Sequence, residues 1–309
     1  MIFIGFGFLM VFLKEHSWTS VGYNFLIACY AMQITMLIMP FFHMIIEGHG
    51  MHKIEFDLTS LIGGDFGAGA VLITFGAVLG KISLKQLWLL TTLEIIFYSI
   101  NESIAVSSLK VNDMGGSMFV HTFGAYFGIG ASFFFQPKRA IRDEPGKCVG
   151  SYNSELIAMV GTIFLWMYWP SFNGALASGS FQQRVVINTV LSISASCISA
   201  CAFSRWMMSA LDMEVVLNAT LAGGVAIGTS CDMLASPAAA LIIGTLAGII
   251  SAYGFLKLGP YLQQKIGLHD TCGVHNLHGI PGVMGAIIGS VAVGISESTY
   301  DNNRVILEH

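Results

Sequence analysis

Ten apolar stretches constrain this chain more than any other feature. They lie near residues 1–13, 21–42, 58–80, 84–107, 114–136, 152–170, 184–208, 214–233, 238–257 and 274–296. A helix rises about 1.5 Å per residue, so about 20 apolar residues cross a hydrocarbon core ~30 Å thick. Most of the stretches reach that length; the first is too short to span. The whole chain agrees, with 54% hydrophobic and 10% charged residues and a mean hydropathy of +0.71. This is the profile of an all-α integral membrane protein. Met1 is followed at once by Ile-Phe-Ile-Gly-Phe, without a basic leader or a small-residue cleavage site. The opening stretch therefore reads as the later part of a helix, not as a signal peptide.

The basic residues support the count. Loops between stretches, numbered from the first, carry Lys14, Lys81, Lys85, Lys138, Arg139, Arg142, Lys147, Arg205, Lys257 and Lys265 on the odd side. The even loops and the tail carry Lys53, Lys110, Arg184 and Arg304. Ten against four places the odd loops in the cytoplasm, and one missed helix would scramble the alternation. The cluster Lys138-Arg139-Ala-Ile-Arg142 is the densest basic run and reads as a topological anchor; nothing points to a nucleic-acid partner. The six cysteines form no CxxC pair and fall mostly within spans, against a disulfide framework or zinc site.

A polar linker at 137–151 divides the chain into a first half, 1–136, and a second half, 152–309, within one polytopic domain. Each half holds five stretches. Halves with an odd number of spans enter the membrane in opposite senses, which is the arithmetic of inverted-repeat transporters with a site near the midplane. The fifth and tenth stretches both open on an aspartate followed by a histidine: Asp113 then His121, and Asp270 then His275. A titratable residue in a span is a functional-site hypothesis by default. Both stretches are glycine-rich, and the spacings Gly124/Gly128 and Gly285/Gly289 permit close helix packing, expected here between these two helices.

On a regular helix His121 lies about 12 Å along the axis from Asp113, and His275 about 7 Å from Asp270. Each aspartate is expected near a vestibule and each histidine deeper. Asp113 and Asp270 fit two readings, a helix N-cap and an electrostatic attraction for a cation. Two neutral imidazoles in contact would fix complementary tautomers and present a donor and an acceptor to a small polar molecule. His278, three residues after His275 and near the same helical face, extends that track or bonds to a neighbouring helix. His43, His49 and His52, with Glu47, Glu55 and Asp57, read as a solvated loop cluster rather than a metal site. There is no P-loop, GxSxG or HExxH pattern to suggest an enzyme, and no cofactor motif.

Five segments carry a resemblance. They are Phe75-Gly-Ala-Val-Leu-Gly-Lys81, Asp113 through Phe127, Phe164-Leu-Trp-Met-Tyr-Trp-Pro-Ser-Phe-Asn173, Asn218-Ala-Thr-Leu-Ala-Gly-Gly224, and Asp270-Thr-Cys-Gly-Val-His-Asn-Leu-His-Gly-Ile-Pro-Gly282. With these the chain resembles the ammonium transporter/Rhesus family, its Rhesus glycoprotein branch in particular. The resemblance implies a homotrimer in the plasma membrane, each subunit holding a hydrophobic ammonia/ammonium pore through a five-plus-five inverted repeat. It implies a pore histidine pair at His121 and His275, a phenylalanine gate at Phe66 and Phe172, and vestibule or deprotonation roles for Asp113 and Asp270. Family members carry one helix before the first stretch and another after the last, so the chain reads as shortened at both ends. Two other functions fit the resemblance: a carbon dioxide channel, and a non-conducting structural subunit, which the retained histidines disfavour.

Overall fold

The computed structural model describes residues 2–13, 16–48, 50–135, 150–234 and 236–299, with the side chains of the last helix followed to residue 295. The linker lies outside the described residues except for its last two positions, as do Lys14, His49 and Cys148. Among the described residues nine helices are long and apolar enough to cross a membrane, and the opening apolar helix is shorter. The ten stretches thus stand as expected.

The first half comprises α1 (Ile2–Leu9), α2 (Ser17–Glu47), α3 (Leu58–Val78), α4 (Leu84–Ser103) and α5 (Phe123–Phe135). The second comprises α6 (Tyr152–Asn173), α7 (Ser180–Met208), a broken element α8 (Met213–Asn218) and α9 (Ala222–Ile227), α10 (Pro237–Tyr253) with its continuation α11 (Gly259–Ile266), and α12 (Ile280–Thr299). Local sequence sets where helices start. Asp57 and Ser60 form a reciprocal capping box at α3, as do Ser83 and Gln86 at α4 and Ser151 and Ser154 at α6. Each satisfies two backbone donors that would otherwise be stranded at the edge of the apolar layer.

The third element of each half is the most enclosed. In α3 and in the broken α8–α9 element, 78% and 83% of the spanning window is buried, against 50% or less in the other spans. Small residues make this possible. A Cβ on Gly223 would stand 2.3 Å from the Ser192 carbonyl oxygen, and one on Gly224 would meet the Trp169 indole at 2.5 Å. Both positions therefore bring a backbone into direct contact with a neighbour, as membrane helices do where small residues line up.

The glycine spacings act differently from expectation. Gly124 and Gly128 press α5 onto α3, where added Cβ atoms would stand 2.5 Å from the Ala70 carbonyl oxygen and 2.8 Å from the Thr74 Cα. It is Gly282 and Gly285 of α12 that lie against the segment before α5, at Ser117 and Thr122, while Gly289 lies against Thr229. Two glycine ridges serve two partners: that of α5 meets α3, and that of α12 meets the segment that opens α5.

A candidate conduction site between the halves

Two short segments, 113–122 and 270–279, face each other across the halves. In each, an aspartate is followed after three residues by a glycine with a left-handed backbone, Gly116 (φ +71°) and Gly273 (φ +67°). Glycine adopts that conformation without strain, and the turn lets the aspartate fold back as a cap. Asp113 Oδ2 accepts the N–H groups of Met118 and Phe119, each at 2.8 Å. Asp270 accepts Val274 N–H on Oδ1 at 3.0 Å and His275 N–H on Oδ2 at 2.8 Å. A wide π-type turn follows in both, Ser117–Thr122 before α5 and His275–Gly279 before α12. The two frames share a repeat geometry. Each leans on the end of the other half's third element: Gly115 N–H donates to the Gly228 carbonyl, and Thr271 donates its N–H to the Ala77 carbonyl and its hydroxyl to that of Leu79.

Inside this frame the histidine that meets His121 is His278. The two Nδ1 atoms lie 3.1 Å apart, and the rings meet edge to edge with centroids 5.1 Å apart and planes 8° from parallel. Both are buried. His275, the expected partner, points elsewhere. Its ring meets the edge of Tyr126 at 5.7 Å and lines a separate cavity of about 150 Å³ with Glu214, Asp270 and Asn276. The π turn is the reason. Residues three apart share a face in an α-helix, but the wider i→i+5 winding sends His275 and His278 in different directions.

The phenylalanine expectations come together. Phe66 and Phe172 lie 4.9 Å apart between centroids, tilted by 50°, and Phe172 is 5.7 Å from His121. The order runs Phe66, Phe172, His121, His278, then Phe6, whose ring is 6.2 Å from His278. Trp169 stacks on the side of His121 at 5.7 Å. Beyond His278 lies an apolar cavity of about 20 Å³ lined by Leu9, Leu72, Ile73, Val274 and Leu277 among others. That holds one water-sized molecule. Phe6 lies in none of the five quoted segments, and Trp169, inside Phe164–Asn173, has no role assigned to it by the resemblance. The His278 assignment does have a signal: His121 and His278 each stand eight residues after their aspartate and five after the glycine.

Asp113 is enclosed, whereas Asp270 is partly exposed and lines the cavity beside His275. Asp113 is 8% exposed, and its Oδ1 also accepts the Thr229 hydroxyl at 2.6 Å. Burial pushes both carboxyls above the ordinary carboxylate range, against the pull of their N–H donors. The expected loop cluster is divided: His43 and Glu47 belong to α2, where His43 bonds to Glu102 of α4 at 2.8 Å, while exposed His52 bonds to the Lys53 carbonyl. Among the described residues no group of three His, Cys, Asp or Glu is placed to hold a metal ion.

Fold and site together define a polytopic membrane protein with a buried row of aromatic rings, interrupted by one imidazole pair, between inverted halves. Comparison with known proteins identifies the class. The model of the Ammonium Transporter Family matches residues 1–309, and the chain belongs to that family. It is 50% identical over 295 residues to ammonium transporter Rh type B-A of Xenopus laevis, covering 94% of this chain and 63% of that protein. It is 46% identical to ammonium transporter Rh type B of Danio rerio, over all of this chain and 67% of that protein. The chain thus spans about two thirds of the length of these relatives. Among solved structures it resembles Rh50 of Nitrosomonas europaea, with a TM-score of 0.84 and 30% identity over 96% of this chain and 80% of that one. It also shares its fold with a sensor Amt protein, at a TM-score of 0.79 and 20% identity.

Proposed function

We propose that this chain conducts ammonia, delivered as ammonium, along the line from Phe66 and Phe172 to His121 and His278. The observation that carries the reading is the 3.1 Å Nδ1···Nδ1 contact within an apolar column. Two nitrogens at that distance share one hydrogen. One ring is then protonated on Nδ1 and bare on Nε2, and its neighbour has the reverse arrangement. The pair offers one N–H and one lone pair to whatever passes. Ammonia matches both, being a donor and an acceptor of the size of water. Ammonium finds no anion at the pair, and desolvating it there is unfavourable. The proton is therefore left on the Phe66 side, and Phe66 and Phe172 exclude the water that would carry it. Asp113 and Asp270 act on the passage through the backbone they cap, with Asp270 also facing the cavity beside His275.

The names of the relatives, ammonium transporters of Rh types B and C, support the substrate class. Assembly as a homotrimer belongs to the same proposal. The test is stopped-flow measurement of internal pH after an ammonium pulse, in proteoliposomes of the purified chain. Alkalinisation faster than in protein-free vesicles is expected. Equal rates with folded, assembled protein would overturn the proposal in favour of a non-conducting subunit. A carbon dioxide pulse in the same vesicles reads that permeability separately.

A further inference from the structure

Glu94 of α4 plays no part in the passage, yet it is fully buried in the middle of a spanning helix. Its Oε1 lies 2.6 Å from the Thr74 hydroxyl of α3, and that same hydroxyl lies 2.8 Å from the Gly124 carbonyl oxygen of α5. Glu94 Oε2 is buried with no hydrogen-bond partner. A threonine hydroxyl has one hydrogen, and a carbonyl can only accept. If Thr74 donates to Gly124, the short contact to Glu94 needs a hydrogen supplied by Glu94. If Thr74 donates to Glu94 instead, two oxygens face each other at 2.8 Å without a hydrogen. A carboxylate would then also stand in the apolar core with one bare oxygen, which is far costlier than a bare carbonyl.

We infer that Glu94 is held as an un-ionised carboxylic acid, the first donor of a relay from Glu94 to Thr74 to the Gly124 carbonyl, and that this relay positions the segment carrying His121. Gly124 follows His121 by three residues, where the π turn passes into α5. There α3 and α5 touch backbone to backbone, with no side chain between them at Gly124 and Gly128 to set their register. The relay supplies a directional contact at that point and ties in a third helix. Glu94 is a positioning residue; it does not touch the passage.

Infrared difference spectra of the intact chain, wild type against Glu94→Gln, test the protonation without any transport measurement. The carbonyl stretch of a protonated carboxylic acid is expected to vanish in the variant, to persist in wild type from neutral into mildly alkaline buffer, and to shift in Thr74→Val. A carboxylate band in its place would overturn the proposal. Glutamine keeps a donor at the same point, so failure of Glu94→Gln to fold would also count against it. The positioning arm rests on the ammonia reading. Flux in Glu94→Gln is expected within about twofold of wild type, while Glu94→Leu, which cannot donate, loses about tenfold. Equal losses in both folded variants would overturn the positioning role. A wild-type chain without flux would sink the ammonia reading and leave the infrared result to decide the protonation.

Discussion

The frames at 113–122 and 270–279 are built alike, with the same aspartate, left-handed glycine, π turn and histidine, yet one is sealed and the other opens on a cavity. The first is locked from the opposite half. Thr229 Oγ1 bonds to Asp113, while Ser117 Oγ donates to the Val225 carbonyl and accepts Thr229 N–H. The second has Val274 where the first has Ser117, and His275 where the first has Met118. Its outer face opens on the cavity that Glu214 and Gln263 also line. The repeat therefore preserves the caps and the paired rings, and diverges on the faces turned away from them. His275 belongs to the divergent face.

The largest effect that would break this comparison is at the histidines. His278→Ala leaves His121 Nδ1 buried without its partner, a penalty of about 1–3 kcal/mol, which translates into a loss of ammonia flux of about tenfold or more. His275→Ala removes a ring that meets Tyr126 and a cavity, and flux is expected to stay within about twofold. Stopped-flow rates at matched protein density decide it. The reverse order would return the pairing to His121 and His275.

The spans were readable from the sequence because apolar length is itself the physical requirement of the bilayer. Phe66 and Phe172 were readable through the resemblance of their motifs. The histidine partner was present in the sequence as equal spacing: counted from Asp113 and Asp270, both His121 and His278 fall at the eighth position. Proximity in sequence favoured His275, and helical periodicity gave no reason to separate it from His278. What hid the answer was the π turn, since no residue type marks an i→i+5 winding as glycine marks a left-handed one. The break between α8 and α9 was hidden for a related reason. An apolar run of spanning length has the same composition whether its backbone is continuous or interrupted at Asn218.

The turn glycines sharpen the comparison at a second level. Alanine at either position adopts a left-handed backbone at about 1–2 kcal/mol. At Gly116 the new Cβ would stand 2.7 Å from a methyl of Val120, whereas at Gly273 it would stand 2.2 Å from the ring edge of Phe255. A rigid ring yields less than a valine rotamer, so Gly273→Ala is expected to lose about 1–3 kcal/mol beyond the backbone strain. Its apparent melting temperature in detergent falls below that of Gly116→Ala. Adding Phe255→Leu recovers part of the loss in the first variant and none in the second. Equal melting temperatures with no recovery would mean that the two turns are not distinguished by packing.

The smallest effect concerns the caps, and it separates the frames most sharply because the substitution is isosteric. Asp270 uses one oxygen for each N–H, Val274 on Oδ1 and His275 on Oδ2. An asparagine there must turn its own NH₂ toward one of those donors, which strands a buried N–H at about 1–3 kcal/mol. Asp113 takes both of its N–H groups on Oδ2 and gives Oδ1 to the Thr229 hydroxyl. An asparagine at 113 keeps its oxygen for the two N–H groups and donates its NH₂ to Thr229, whose hydroxyl accepts as readily as it donates. Asp113→Asn should therefore lower the apparent melting temperature less than Asp270→Asn, although Asp113 is the better bonded of the two. Thr229→Val tests the tie: with the hydroxyl gone, the aspartate at 113 keeps a bare carboxylate oxygen and the asparagine a bare NH₂, so the two losses are expected not to add. Additive losses would show that the tie between Asp113 and Thr229 is incidental to how the two halves are held together.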